Sequence, residues 1–276
     1  MPDQWTIIVT TCTESGKDIK NCKRVGCSYE ETQNIITALG HDWIDNWQTT
    51  APTCTETGGD KRTCNRINCT ETQSKNETTA LGHTQNTETG ICTVCNALTY
   101  NLGDTGPGGG KIFYRSETGF TMTDDNSTAY YLEAAPEDIT TLRTWSSNDF
   151  IPSAFYGTGD WVFISDTKTE IGTGRNNTVL ILTIDDLAPA ALACVNYNNG
   201  DKTDWFLPSR NELEMLYINK AFFDNLNGDE YWSSSQYQLI EGAWCLLFNW
   251  WNESLNGGLG NYYKSNTHPV RAIRAF

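Results

Sequence analysis

No apolar run in this 276-residue chain approaches the roughly 18 to 20 residues that a membrane-crossing helix needs, so the sequence offers no transmembrane span. Basic charge is also scarce. Lys and Arg number 19 against 34 Asp and Glu, giving a net charge of −15 and a pI near 4.5. The cations are scattered singly, which argues against nucleic acid as a partner, because phosphate binding needs them clustered. The opening residues Met1-Pro2-Asp3-Gln4-Trp5 carry no basic n-region, and Trp5 to Val9 is too short to be an apolar h-region. A chain that begins after a removed signal or lipoprotein leader reads the same way, and that reading is preferred here to a cytoplasmic home.

Aromatic residues, by contrast, are plentiful at 12%, and they concentrate at the C-terminus. Residues 231 to 276 hold Trp232, Trp244, Trp250, Trp251, Tyr231, Tyr237, Phe248, Tyr262 and Tyr263, among many Asn, Ser and Gly. Between Tyr231 and His268 the formal charges are Glu241, Glu253 and Lys264 alone. Rigid aromatics with small polar residues form the composition of binding loops. The competing reading is the core of a Trp-rich β domain.

Ten cysteines are too many for a reduced cytosolic domain of this size and imply disulfides or metal sites. Residues 1 to 98 contain a repeat of period 42: Trp5 aligns with Trp47, Cys12 with Cys54, Cys22 with Cys64, Cys27 with Cys69, and Ala38-Leu39-Gly40-His41 with Ala80-Leu81-Gly82-His83. A truncated third copy follows, with Cys92-x-x-Cys95 in place of the longer pair. Each unit is too short and polar to bury a core and needs a covalent or metallic staple. Cys12, Cys22, Cys27 and His41 form one candidate zinc set, and Cys54, Cys64, Cys69 and His83 the other, since Cys3His is a closed zinc set. Disulfides within or between repeats, and free thiols, stay open beside zinc. Either staple is structural, because no nucleophile or base accompanies the cluster.

From residue 99 the composition changes. A Gly and Pro run, Gly103 to Gly110, feeds Lys111-Ile112-Phe113-Tyr114 and reads as a turn entering a strand. Asp104-Thr105-Gly106 matches an aspartic protease triplet that has no second copy. Gly110-Lys111 resembles a phosphate loop, yet Thr105 stands where its first Gly belongs and Ile112 where its Ser or Thr belongs. Helices are expected from Asp185 to about Tyr197 and from the capping box Ser209-x-x-Glu212 to about Phe222. Strands are expected at 231–234, 243–251 and 269–276. An α+β fold follows. Asp124-Asp125-Asn126 is a Ca2+ candidate, with a solvated turn as the alternative.

Two resemblances sharpen this. The segment Ala38-Leu39-Gly40-His41-Asp42-Trp43 resembles the Cys-containing repeats of surface proteins in spirochaetes and some other bacteria, which implies a spacer that displays a terminal domain. The second copy departs, reading Gly82-His83-Thr84-Gln85. Downstream, Leu102 to Pro107, Lys111 to Tyr114, Tyr131-Leu132-Glu133-Ala134-Ala135-Pro136, Trp205-Phe206-Leu207-Pro208-Ser209, Tyr231-Trp232-Ser233-Ser234-Ser235 and Val270 to Phe276 resemble bacterial domains with a C-type lectin fold of the formylglycine-generating-enzyme type. Within that group the chain is most similar to the treponemal variable proteins of diversity-generating retroelements. There a reverse transcriptase rewrites adenine positions in the last coding segment, and the rewritten residues form a ligand-binding face.

The resemblance implies a variable region over about 231–268, on a lectin-like domain covering 99–276. Leu246, Leu247, Asn249, Leu255, Leu259, Asn261, Tyr262, Tyr263, Ser265, Asn266, Thr267 and His268 fit the residues reachable from a rewritten Asn codon. Tyr237, Leu239, Trp250, Trp251 and Asn252 complete the expected face, although Trp250, Trp251 and Glu253 do not arise from an Asn codon. Trp232, Trp244, Phe248, Val270, Ile273 and Phe276 are expected to frame it. The implied function is a monomeric surface protein that binds a ligand, expected to be a protein, without catalytic residues. The alternatives are a formylglycine-generating-type oxidase, for which Cys194 and Cys245 are the only thiols of this domain, and a structural envelope protein.

Overall fold

The computed structural model describes residues 4–155, 157–226, 230–248 and 258–276. The chain divides into two compact units, residues 1–83 and 84–276. In the first, the period-42 repeat is realised strand by strand. β1 (Thr6–Ile8), β2 (Gly16–Asn21) and β3 (Glu30–Ile36) form one antiparallel sheet, and β4 (Gln48–Thr50), β5 (Gly58–Thr63) and β6 (Thr72–Thr78) form its copy. All of β3 and all of β6 are exposed, so neither sheet covers an apolar core. Trp and cation contacts take its place: Lys20 lies over Trp5, and Arg62 and Lys75 over Trp47, 4.6 and 4.0 Å from the ring centre.

The truncated third copy, expected to close the repeats, belongs to the second unit. Its hairpin, β7 (Gln85–Asn86) with β8 (Ile91–Cys92), is tied there by Tyr131 Oη donating to the Gly90 carbonyl at 3.0 Å and Tyr100 Oη donating to Thr87. Buried aromatics hold it there.

The rest of this unit is built on β9 (Lys111–Thr121) and β10 (Thr128–Ala134), followed by helices α1 (Gly174–Ile184), α2 (Pro189–Val195) and α3 (Arg210–Ile218). The chain ends with β11 (Glu230–Gln236), β12 (Gly242–Leu247), β13 (Gly258–Tyr263) and β14 (Ile273–Ala275). The antiparallel sheets run β14-β10-β9 and β11-β12-β13, and three helices among the described residues give the expected α+β composition. Strand alternation sends most of the interior to two large cores, beside a smaller cluster of Tyr100, Ile112 and Tyr131. Trp205, Leu207, Trp232, Ala243, Cys245, Val270 and Ala272 face the core that α1 and α2 cover with Ile181, Ala190, Ala191 and Cys194. Their neighbours Phe206, Tyr231, Leu246 and Ile273 face the other core, capped by Leu213, Leu216 and Tyr217 of α3.

Two expectations about helices are corrected. The Ala-rich helix is shorter than 185–197, because Pro189 occupies the first helical position and starts it. Asp185 instead ends α1, which the sequence reading missed, since Val179, Ile181, Thr183 and Ile184 favour strand by propensity. The capping box at Ser209 and Glu212 forms as expected, with both reciprocal hydrogen bonds present. Glu212 also accepts from Gly172 N at 2.8 Å. Burial pushes its pKa up to about 7 against these N–H donors, which favour the carboxylate.

The glycine run is resolved by its own anion. Gly108 N and Gly110 N donate to the two oxygens of buried Glu133 at 3.0 and 2.6 Å, so the loop cradles a carboxylate of this chain. A Cβ at Gly110 would stand 1.9 Å from the Ala134 carbonyl oxygen, which explains the glycine. Arg274 completes the latch, reaching Glu133 at 3.2 Å and Asp204 with two bonds of 2.9 and 3.0 Å. Three residues earlier, fully buried Arg271 reaches Asp138 at 2.6 Å, the Ala135 carbonyl at 2.7 Å and the Asn225 carbonyl at 2.8 Å. Removing one partner of such a pair strands the other charge. Arg271→Ala is therefore expected to lower the unfolding free energy by about 3–5 kcal/mol in urea titration, and a loss below about 1 kcal/mol would contradict the latch.

Candidate functional site

The terminal sheet β11-β12-β13 presents two unlike faces, fixed by register. In β12 and β13, Gly242 opposes Tyr263, Trp244 opposes Asn261 and Leu246 opposes Leu259, so these side chains share one face. On the other, Ala243 opposes Tyr262 and Cys245 opposes Gly260, against the Trp232 core.

Among the described residues, the first face is covered at one end alone. Leu246, with Tyr231 and Phe248, packs under α3, whereas Leu259 and Tyr263 stay 48% and 47% exposed and Asn261 is exposed. The open part is ordered by rings. Tyr237 meets Trp244 edge-on at 4.8 Å, and the Arg210 guanidinium lies 5.2 Å over the Trp244 indole. Tyr263 packs on Phe155 at 5.2 Å, and Phe155 on Trp161 at 5.7 Å. Leu239, 56% exposed, sits in the turn between β11 and β12, and Thr267 is exposed just beyond β13.

Several expected face residues lie elsewhere. Leu246 is buried because the register turns it under α3. His268 is buried against Trp232, ring centres 4.6 Å apart, with its Nδ1 3.1 Å from Glu230. Burial holds its pKa below the ordinary histidine range although Glu230 pulls the other way. These two are withdrawn from the exposed set. Tyr262 is half-buried, donates to Glu230 and packs on His268, so it is a strut between sheet and core. Leu247, Ser265 and Asn266 are half-buried. Asn249, Trp250, Trp251, Asn252 and Leu255 lie outside the described residues. Among the expected frame residues, Trp232, Phe248, Val270 and Ile273 are buried, while Trp244 is half-exposed and belongs to the face.

Sequence reasoning missed Phe155, Trp161 and Arg210, which join the face only through tertiary packing. Phe155 and Trp161 lie in an irregular stretch whose aromatics have no period to betray them. It also overlooked Lys264. This residue is fully buried between exposed Tyr263 and half-buried Ser265, donates from Nζ to the Val162 carbonyl at 2.7 Å and lies 4.7 Å over Trp145. It pins Val162 to the base of the face.

The candidate Ca2+ position is taken by a cation of the chain. Arg175 binds Asp124 at 2.6 Å and Asp125 at 2.7 Å, while Asn126 turns the chain with φ at +59°. Cys194 and Cys245 are both buried in one apolar core, and burial pushes both thiols far up. Neither has the electropositive, accessible setting of a reactive thiol.

In the repeats, the candidate zinc residues regroup. Cys22 and Cys27 form a disulfide. Cys12 and His41 of the first repeat meet Cys64 and Cys69 of the second, with all four donor atoms within 4.8 Å of one another. The set expected within one repeat is thus corrected to a set shared by two. Gly40, at φ +69°, turns the Ala-Leu-Gly-His segment so that its N–H donates to the Cys12 carbonyl at 3.0 Å, and His41 lands beside Cys12. Gly82, at φ +73°, does the same to Cys54, so Cys54 and His83 stand in the second repeat where Cys12 and His41 stand in the first. Burial alone would push the Cys64 thiol up, but N–H donors of Arg66 and Asp42 and the His41 and Cys69 side chains bring it down to about 6.

Burial lowers the Lys264 pKa from its ordinary 10.5 to about 7, with Asp185 and Glu241 opposing the shift. The unfolded chain therefore binds more protons between those values, and stability rises with pH across that window. Urea midpoints measured from pH 7 to 9.5 are expected to climb, and Lys264→Met is expected to flatten the slope; an equal slope in both proteins would overturn the assignment. No protein-family model matches this chain, and no curated protein matches it.

Proposed function

We propose that the second unit is a ligand-binding domain, without catalytic activity, whose contact surface is the open half of the terminal sheet. The observation that carries this reading is the contrast between the two ends of one sheet face. At one end Leu246 is sealed under α3, and at the other Trp244, Asn261 and Tyr263 are left open beside Tyr237, Phe155 and Arg210. Aromatics, Asn and an Arg over a ring are the residue types that carry binding energy in interfaces. A monomer that merely needed solubility would not leave them together.

The same contrast supports the finer reading, a lectin-like fold of the formylglycine-generating-enzyme type with a diversified face. Replaceable residues need a frame that does not depend on them, and here the frame is Trp232, Lys264, Arg271 and Ile273, all fully buried. Exposed positions Leu239, Leu259, Asn261, Tyr263 and Thr267 interrupt none of its hydrogen-bonded latches. The partner is a protein, since an aromatic and amide surface whose Arg210 is stacked over a ring complements protein surfaces better than it does phosphates. The repeats act as a spacer that displays this unit at the cell surface.

A stability scan tests the separation of face from frame. Leu239→Ser, Leu259→Ser, Asn261→Ala and Tyr263→Ala are each expected to cost less than about 1 kcal/mol. Trp232→Ala is expected to cost about 3–5 kcal/mol. A face residue whose removal costs as much as Trp232 is a structural part, and the replaceable-face reading then fails. Diversification has its own test in the DNA. A near-identical copy of the gene's 3′ end, differing at adenines and lying beside a reverse-transcriptase gene, is expected; without it the face is a fixed binding surface.

A further inference from the structure

The four donors shared by the two repeats have the geometry of a tetrahedral metal site. A Zn2+ ion with Zn–S near 2.3 Å and Zn–N near 2.0–2.1 Å sets its sulfurs about 3.8 Å apart and sulfur from nitrogen about 3.6 Å apart. Cys12 Sγ stands 3.8 Å from Cys64 Sγ, and Cys69 Sγ stands 3.4 Å from His41 Nδ1. The Cys12–Cys64 spacing is far outside the roughly 2.05 Å of a disulfide, while it fits two thiolates on one ion.

The surrounding backbone is arranged to hold this set. Arg66, two residues after Cys64, donates to the Gly40 carbonyl at 3.0 Å and the Leu39 carbonyl at 3.3 Å, which fastens the Cys64–Cys69 loop to the segment carrying His41. Asn65 N donates to the Asp42 carbonyl at 2.7 Å, and Asp42 N points at Cys64 Sγ from 3.4 Å. An N–H aimed at sulfur offsets thiolate charge and orients the ligand, as the outer partners of a metal site do. The His41 ring lies against Trp43, 4.7 Å between centres, which fixes its plane.

We propose that Cys12, His41, Cys64 and Cys69 bind one structural Zn2+ ion that locks the first repeat to the second. Each repeat supplies half of the ligands, so the metal joins neighbours and closes no module on itself. Two sheets with fully exposed third strands have little apolar area with which to associate. The metal supplies that association, which is folding free energy in such small modules. The same four-residue-gap loop has a second use in this chain. In the first repeat its cysteines, Cys22 and Cys27, close as a disulfide, with Cys27 N on the Arg24 carbonyl at 3.0 Å. In the second, Cys69 N makes the matching bond to Arg66 at 3.1 Å, but the thiols stay open toward Cys12 and His41.

The experiment uses the full chain, purified with reductant, loaded with Zn2+, dialysed and counted by mass spectrometry, with Co2+ substitution to read the ligand field. Relative to the parent, Cys12→Ser, Cys64→Ser and Cys69→Ser are each expected to lose one zinc equivalent, and the double variant Cys22→Ser, Cys27→Ser none. His41→Cys keeps four ligands, so it is expected to retain the equivalent and to strengthen the sulfur-to-cobalt charge-transfer band. If the serine variants unfold and release all metal, His41→Cys decides: retention with the altered band supports the site, and loss of the metal overturns it. Loss of the equivalent in the Cys22, Cys27 variant would instead place the ion within one repeat and overturn the shared site. An unchanged count in Cys64→Ser, or no bound zinc in the parent, overturns it as well.

Discussion

Two buried arginines near the C-terminal end, Arg271 just before β14 and Arg274 on it, organise the second unit. Arg271 and Arg274 carry charges that water would otherwise solvate, and each is compensated by carboxylates from distant parts of the chain, Asp138 in one case and Glu133 with Asp204 in the other. Because a stranded charge costs several kcal/mol, these partners constrain one another. Glu133 can serve Arg274 only if Gly108 and Gly110 also bring their N–H groups to it, so the glycine run, β10 and the C-terminal strand assemble together. The loop that looks like an anion site is one, and its anion is internal.

Around that latch, strand alternation sends neighbouring residues to two cores that helices close, while Ile112 and Tyr131 join a smaller aromatic cluster with Tyr100. The terminal sheet is where this closure stops short. Helix α3 covers the Leu246 end of one face and leaves the Trp244 end open, with Lys264 buried beneath and bonded to Val162. On the proposed reading, binding chemistry sits where the fold has finished its own packing. Buried Lys264 at the base is then part of the frame, since its hydrogen bond to the Val162 carbonyl holds the loop that carries Phe155 and Trp161.

The repeats solve a different problem. With almost no apolar surface to bury, they rely on Trp and cation pairs, one disulfide and, as proposed, a metal shared between neighbours. A shared site fixes the spacing of consecutive modules, which suits a spacer better than independently stapled beads.

By itself the sequence determined what depends on local chemistry and period. The 42-residue repeat is legible in Cys, Trp and Gly-His positions, and both sheets obey that offset. The capping box at Ser209, the strand after the glycine run and the acidic, span-free composition are legible for the same reason, since each is written in neighbouring residues. Tertiary structure decided what depends on partners far apart. Spacing alone grouped Cys12 with Cys22 and Cys27, whereas the fold brought it to Cys64 and Cys69, because a turn at Gly40 and a clamp from Arg66 set the contact. A residue-type alphabet put Leu246 and His268 on the face, and register with the packing of α3 and Trp232 buried them. Phe155 and Trp161 reached the face from a stretch with no pattern of its own, and Arg210, at the start of a legible helix, and Lys264 were placed by contacts that no local pattern shows. Pairing between distant residues is set by three-dimensional closure, and no window of sequence carries it.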